Sequence, residues 1–344
     1  MMRVLLTGHE GYIGAVASTV LADAGHDVVG LDSYLYEGCD LGDGPPEIEA
    51  LRMDVRDVEP RHLDGFDAVI HLAAISNDPI GELDPDITYA INHRASVRLA
   101  EAAKAAGVGR YVFSSSCSLY GAAGDAILDE SAGFDPVTAY ARSKVLAEQD
   151  ISKLADDDFS PVYLRNATVY GASPRLRGDV VVNNLTGVAF STGRVHMMSD
   201  GTPWRPLVHV RDVSRAMLAA IEAPREVVHD EAINIVASSQ NYRISEVAEI
   251  VRDELPGTEI TYADDAGPDL RCYRVTGSKL ERLLPQAVPA MTVRDGVREL
   301  VAAFRADGIT AEDITGPRFT RLRRVDELKS AGRLDDSLAW RAAV

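Results

Sequence analysis

Gly8, Gly11 and Gly14 lie between a short apolar run, Arg3 to Thr7, and a helical pattern, Ala15 to Ala24, that Gly25 stops. A strand that turns through such a loop straight into a helix belongs to the first crossing of a parallel sheet, with the helix N-terminus aimed at negative charge. Gly8 permits the tight turn, Gly11 lets main chain approach a pyrophosphate, and Gly14 lets the helix pack on the strand. Tyr12 and Ile13 complete this cofactor loop. The next strand, Asp27 to Asp32, ends on a carboxylate eighteen positions after Gly14. That is close to the roughly 20-residue spacing at which an acid accepts hydrogen bonds from an adenine ribose. A carboxylate there repels a 2′-phosphate, so the expected cofactor is NAD rather than NADP. Asp54 and Val55 follow another short segment, at a place suited to reading the adenine edge.

The same alternation continues through strands predicted at Asp67 to Leu72, Arg110 to Ser114 and Pro161 to Arg165, and through a helix at Ile87 to Ala106 that Gly107 stops. Helices between parallel strands make an α/β fold, a Rossmann-type doubly wound sheet. After about Gly171 the punctuation by Pro, Gly and Arg becomes irregular, and a smaller C-terminal α/β substrate domain is expected. The reading assigns residues 1–171 to the cofactor domain and 172–344 mainly to the substrate domain and a tail. A strand at Pro206 to Val210, a helix at Asp212 to Ala223 and a strand at Ala232 to Val236 suggest that 206–238 returns to the first domain. Further helices are expected at Ile244 to Leu255 and Val293 to Phe304. The tail from Phe319, with Arg321, Arg323 and Arg324, reads as a solvated helix or an oligomer contact.

With 53 acidic against 35 basic residues the net charge is −18, which argues against nucleic acid or anionic lipid as a partner. No apolar stretch approaches the roughly 20 residues that span a bilayer, and the first residues are too short a run for a signal peptide. A cytoplasmic location is expected. Cys39, Cys117 and Cys272 form no C-x-x-C, and the eight histidines show no ligand spacing, so no metal is expected.

Tyr140 and Lys144 stand four apart at the start of a helical pattern, so phenol and ammonium share one helical face. They follow Ser114, Ser115 and Ser116, hydroxyls at the edge of the sheet where open α/β folds bind ligands. Together with the glycine loop, Asp32, His71-Leu72-Ala73-Ala74, Asn92 and the segment Arg205 to Asp212, these residues resemble the extended short-chain dehydrogenase/reductases. Within that family the likeness is to the NAD-dependent nucleotide-sugar epimerase/dehydratase group, closest in type to the UDP-glucose 4-epimerase-like enzymes, over roughly residues 3 to 300. The resemblance implies that Tyr140 exchanges the proton of a sugar hydroxyl. It implies that Lys144 lowers the phenol's pKa from near 10 and holds the nicotinamide ribose, and that Ser116 hydrogen-bonds the reacting oxygen. Leu72, Ala73, Ala74, Ser114 and Ser115 would line the cofactor, with Asn92 positioning a helix or a water network. Ser76, Thr168, Asn184, Arg205 and Arg271 would face a nucleotide-diphosphate sugar, with Arg205 on the diphosphate. Thr168 stands where these enzymes usually have Asn, and the usual late Arg is missing around Asp265 to Asp269, with Arg271 as its substitute. The family also implies a homodimer through helices such as Ile87 to Ala106 and Val137 to Leu154.

The family's 4,6-dehydratases carry an acidic pair directly after the catalytic Ser or Thr, because elimination needs an extra acid and base. Here those positions are Cys117 and Ser118. Ser118 also replaces the Glu of the decarboxylases, and Cys117 is one position early for the 3,5-epimerases and reads as packing. What remains is redox at one carbon, either 4-epimerisation, which is favoured, or reduction or oxidation of a keto sugar with cofactor exchange, as in an NAD(P)H-dependent nucleotide-sugar 4-ketoreductase/dehydrogenase. A non-catalytic NAD sensor is the competing class, but it would have little need of Ser116, Tyr140 and Lys144.

Overall fold

The computed structural model describes residues 1–76, 84–267 and 272–341. Seven parallel strands form the main sheet: β1 Arg3–Thr7, β2 Asp27–Asp32, β3 Ala50–Arg52, β4 Ala68–His71, β5 Arg110–Ser116, β7 Ser160–Asn166 and β11 Glu231–Ile235. Their order is β11-β7-β5-β4-β1-β2-β3, with every pairing parallel. The order reverses between β1 and β4, and this switch point opens the crevice where such sheets bind ligands.

Alternate residues of each strand feed two cores, which is why the strands read as near-continuous apolar runs. Val4, Leu6, Val112 and Leu164 enter one cluster with Leu21 and Met217, so the Gly14–Asp23 and Val210–Glu222 helices cover that face. Leu5, Val69, Phe113 and Tyr163 enter the other with Leu99, Ala147 and Ile151, beneath the Ser96–Ala105 and Ala139–Ser152 helices. The helix expected at Ile87 to Ala106 is divided: one turn at Pro85–Thr88, a π-helical stretch at Tyr89–Ala95, then the regular helix. The wide turn brings Asn92 to the end of β4.

A third cluster, containing Tyr170, Leu185, Met197, Leu207, Val251 and Phe304, is the core of the C-terminal lobe. Its strands are β8 Thr168–Tyr170, β10 Trp204–His209 and β12 Asn241–Arg243 in one sheet, and β9 Arg194–Ser199 with β13 Glu259–Gly267 in another. A further parallel pair joins β6 Ala122–Leu128 to β14 Cys272–Val275. Within 206–238, the Val210–Glu222 helix packs beside the Gly14–Asp23 helix and β11 extends the main sheet. β10 instead pairs with β8 and β12, outside the main sheet.

The tail departs from the sequence reading. The Arg321–Ser330 helix is not wholly solvated: Val325 and Leu328 are buried with Leu334 and Leu338 in the second core of the main sheet, while Arg323, Asp326 and Lys329 stay exposed. Four apolar residues among many charged ones leave a weak periodic signal, yet they suffice to seat a segment in which Arg318, Arg324 and Trp340 also bond the loop after β2.

Candidate functional site

The glycine loop leaves no room for side chains where it turns. Gly8 has φ +76°, and a Cβ there would lie 2.8 Å from the Ala73 nitrogen; a Cβ on Gly14 would collide with the Gly8 carbonyl. Bare main chain therefore lines the turn at the N-terminal end of the Gly14–Asp23 helix, a cradle that fits the pyrophosphate of a dinucleotide. Tyr12 turns its ring into the C-terminal lobe's core. Its hydroxyl donates to the Gly171 carbonyl at 2.8 Å and accepts from Asn183 Nδ2 at 3.1 Å, so only its main chain is left to a cofactor. Ile13 likewise packs against the cores.

Asp32 ends β2 with both carboxylate oxygens held by main chain, Oδ2 by the Glu10 amide at 3.1 Å and Oδ1 by the Tyr34 amide at 2.7 Å. Burial pushes its carboxyl above the usual range, opposed by those two bonds. If Asp32 also accepts the ribose hydroxyls, replacing it with Ala should weaken NAD by about 10- to 100-fold, the worth of a charged hydrogen bond, while NADP loses less. Titration of both cofactors checks this, and an unchanged NAD/NADP ratio would remove Asp32 from the ribose site. Asp54 is already gripped by Arg56, whose Nη2 donates to Oδ2 at 2.6 Å and whose Nε donates to Oδ1 at 2.9 Å. Val55 lies in the second core.

At the end of β4, the Leu72 amide donates to the Thr7 carbonyl at 3.1 Å and the Ala73 amide to Thr7 Oγ1 at 3.3 Å. Ala74 follows, half-buried. Asn92, fully buried, accepts from the Ile75 amide at 2.8 Å and donates to the Ile75 carbonyl at 2.9 Å. It thus clamps main chain rather than reaching outward, which makes it a positioning residue.

Thr138 caps the Ala139–Ser152 helix by accepting from the Ala141 amide at 3.1 Å, and this fixes where Tyr140 and Lys144 emerge. Lys144 is buried, donates to the Ser114 carbonyl at 2.7 Å, and sits 4.5 Å over the Phe113 ring and 5.8 Å from the centroid of Tyr140. Burial lowers its pKa to about 7, against the pull of Glu148 in the other direction. Glu148, one turn further on, is committed to Arg165, which pairs with it at 2.7 Å and donates to the Tyr120 hydroxyl at 3.0 Å. Ser114 Oγ accepts from Asn166 Nδ2 at 3.0 Å, while Ser115 Oγ is buried with no hydrogen-bond partner among the described residues. Ser116 Oγ accepts from the Ser118 amide at 3.1 Å, so its own proton remains to be donated to an incoming oxygen. Cys117 is fully buried, bonds the Arg165 carbonyl at 3.1 Å, and has its thiol pushed up by burial.

The residues expected on the substrate side are scattered more widely. Thr168 pairs in register with Leu207, two residues from Arg205 on β10, so Thr168 and Arg205 serve one small sheet. Arg205 is 6% exposed, donates to the Trp204 carbonyl at 2.9 Å and lies over the Tyr273 ring. Asn184 donates to the Gly178 carbonyl at 2.9 Å. Ser76 accepts from Arg177 Nη1 at 3.0 Å. Arg271 lies outside the described residues. Sequence reasoning missed Arg177, which bridges the lobes from Asp179 to Ser76 and interacts electrostatically with Tyr140. Its only local signal is Asp179, two positions on. Among the described residues no helix is long and apolar enough to cross a membrane.

Comparison with known proteins places this arrangement. A model of the NAD-dependent epimerase/dehydratase family matches residues 4–236. The UDP-glucose 4-epimerase of Neisseria meningitidis serogroup A is 30% identical over 305 residues, covering 79% of this chain and 88% of its own. That of Corynebacterium glutamicum is 28% identical over 267 residues, covering 73% of this chain and 80% of its own. Among solved structures, MoeE5 in complex with UDP-glucose and NAD is similar with a TM-score of 0.77 at 28% identity, covering 89% of this chain and 100% of that one.

Proposed function

Since the chain belongs to the NAD-dependent epimerase/dehydratase family, we propose that it inverts C4 of a nucleotide-diphosphate sugar through a transient 4-keto sugar. It is an NAD-dependent enzyme of the extended short-chain dehydrogenase/reductase type. The glycine turn and the end of β4 would hold NAD, which when bound would supply a hydride acceptor for the C4 hydrogen and the donor that restores it. Tyr140 takes the C4 hydroxyl proton and later gives it back. Ser116, its lone pair occupied by the Ser118 amide, donates to the C4 oxygen and orients it. Lys144 places an ammonium beside the phenol and so favours phenolate. Arg205 suits the diphosphate, which lets the sugar turn over while its nucleotide stays anchored.

The observation that carries this reading is the content of the turn after Ser116: Cys117 is walled into the core and Ser118 carries no charge. Elimination or decarboxylation would need a second acid or base there, whereas inversion by one proton shuttle needs none. UDP-glucose is the first substrate to try, given the names of the relatives. A homodimer and a cytoplasmic location belong to the same proposal.

The test is incubation of UDP-glucose in deuterated water without added reduced cofactor, with the products followed by NMR. The expected product is the 4-epimer, with hydrogen rather than deuterium at C4 and no net consumption of nicotinamide. Reduction of a 4-keto sugar nucleotide at one equivalent of NADH, with no interconversion of epimers, would make the enzyme a ketoreductase instead.

A further inference from the structure

The 317–341 segment lies outside the span matched by the family model, and its basic run has no part in the reaction proposed above. It nevertheless reaches the loop that begins at Asp32. Trp340 Nε1 donates to the Ser33 carbonyl at 2.5 Å, Arg324 Nη2 to the Glu37 carbonyl at 2.9 Å, and Arg318 Nη2 to the Asp40 carbonyl at 2.8 Å. Arg321 lies 3.9 Å over the Tyr36 ring and donates to the Arg175 carbonyl at 3.1 Å. Residues 33–41 form neither helix nor strand, so these donors, arriving from far along the chain, fix the path of the loop together with Arg52 on Glu37, Arg175 on the Tyr36 carbonyl and the Pro174 carbonyl on the Leu41 amide. On the other side, Arg56, which grips Asp54, donates from Nη1 to the Ser337 carbonyl at 2.8 Å. The segment therefore ties together the two stretches that follow β2 and β3, one starting at the ribose carboxylate and the other at the adenine edge.

Two further features mark the place where the segment meets the rest of the chain. Between Ile75 and Ile87 on one side and Val325 and Leu338 on the other, a cavity of about 170 Å³ remains open. Arg321 is 4% exposed, it makes no ion pair among the described residues, and its Nη1 has no hydrogen-bond partner. Burial pulls the pKa of this guanidinium down. Arg321 thus fastens the segment both to the loop that follows Asp32, through Tyr36, and to the C-terminal lobe, through the Arg175 carbonyl.

We propose that residues 317–341 act as a clasp on the adenosine half of the NAD site, holding the Ser33–Asp40 loop and the Asp54–Asp57 turn closed over the bound cofactor and keeping NAD resident between turnovers. The proposal rests on the epimerase reading, in which NAD returns to its starting state each cycle, and not on which sugar is inverted. NAD that serves as a returning carrier gains nothing from leaving, and a clasp fastened at several points makes departure wait for several contacts to open.

The experiment measures release of bound NAD by chasing the loaded protein with an excess of etheno-NAD and following fluorescence. A chain stopped after Gly332, which keeps the Arg321–Ser330 helix but lacks the Trp340 and Ser337 contacts, should release NAD at least about tenfold faster than the parent. Trp340→Ala, a milder change, should move the rate in the same direction and carries the test if the shortened chain does not fold. Release at the parental rate from a variant that folds and binds NAD overturns the proposal. The readout involves no sugar, so failure of the 4-epimerase reading would leave the result standing, and failure of the clasp would leave the epimerase reading untouched.

Discussion

Tyr140→Phe is expected to lower turnover of the nucleotide sugar by about 10²- to 10⁴-fold, the usual worth of a positioned acid/base group, while NAD binding stays within about twofold. The substitution removes one oxygen and keeps the ring beside Lys144. Thr138 still caps the helix, and Lys144 still donates to the Ser114 carbonyl, so the walls of the cofactor site are undisturbed. A phenol whose pKa is near 10 in water is protonated at neutral pH, and the reaction needs it to lose and regain a proton in every cycle. Turnover and NAD titration on the same preparation separate the two roles. A variant with parental turnover would mean that another group moves the proton, and the mechanism would fall.

Lys144→Met should reduce turnover by a comparable factor and should also change how stability depends on pH. In the unliganded protein, burial lowers the Lys144 pKa from 10.5 to about 7. Between those two values the unfolded chain binds a proton that the folded chain does not, so this lysine makes the parent more stable as pH rises through the window. At pH 7 and below, the folded protein carries the cost of a buried ammonium. The Met variant carries no such term. In urea titrations without cofactor, its stability relative to the parent should be greatest at or below pH 7 and should decline toward pH 10 by on the order of a few kcal/mol. His71 does not confuse the comparison between pH 7 and 10: burial, aided by the Lys144 charge, pushes its imidazole down to about 3, and burial remains in the variant, so the ring is neutral throughout this window in both proteins. A stability difference independent of pH would show that Lys144 does not titrate there.

The parts of the fold that the sequence displayed openly are those governed by local rules. β1 and β2 could be read to the residue because each is a buried run bounded by turn or glycine signals. The glycine loop was legible because steric demands select the residue type, and the Tyr140/Lys144 spacing because four residues make one helical turn. Less visible were features decided by distant partners. Pairing of β6 with β14 and of β9 with β13 joins segments far apart in the chain, and three-residue β3 is too short for any period to appear. The π-helical stretch around Asn92 hides inside a normal helical pattern, since one extra residue per turn alters composition very little. Arg177 resembled any arginine of an irregular segment until its bond to Ser76 was seen.

The seat of the 317–341 segment also bears on the order in which the protein can assemble. Its hydrogen bonds to Ser33, Glu37 and Asp40 join residues 307, 287 and 278 positions apart. Contacts so distant in sequence form late, because long loops must close first. During synthesis, at about 5–20 residues per second, the Ser33–Asp40 loop therefore leaves the ribosome with Arg52 soon at hand for Glu37, but well before residues 318–340 exist to fasten it. A nascent chain can lay down β1 and β2 and display its glycine turn, but the loop beyond Asp32 takes its final path only after residues 318–340 have been made. Maturation of this pocket thus waits for translation of residues 318–340, and a stop before them would spare most of the sheet while leaving its earliest loop with fewer ties.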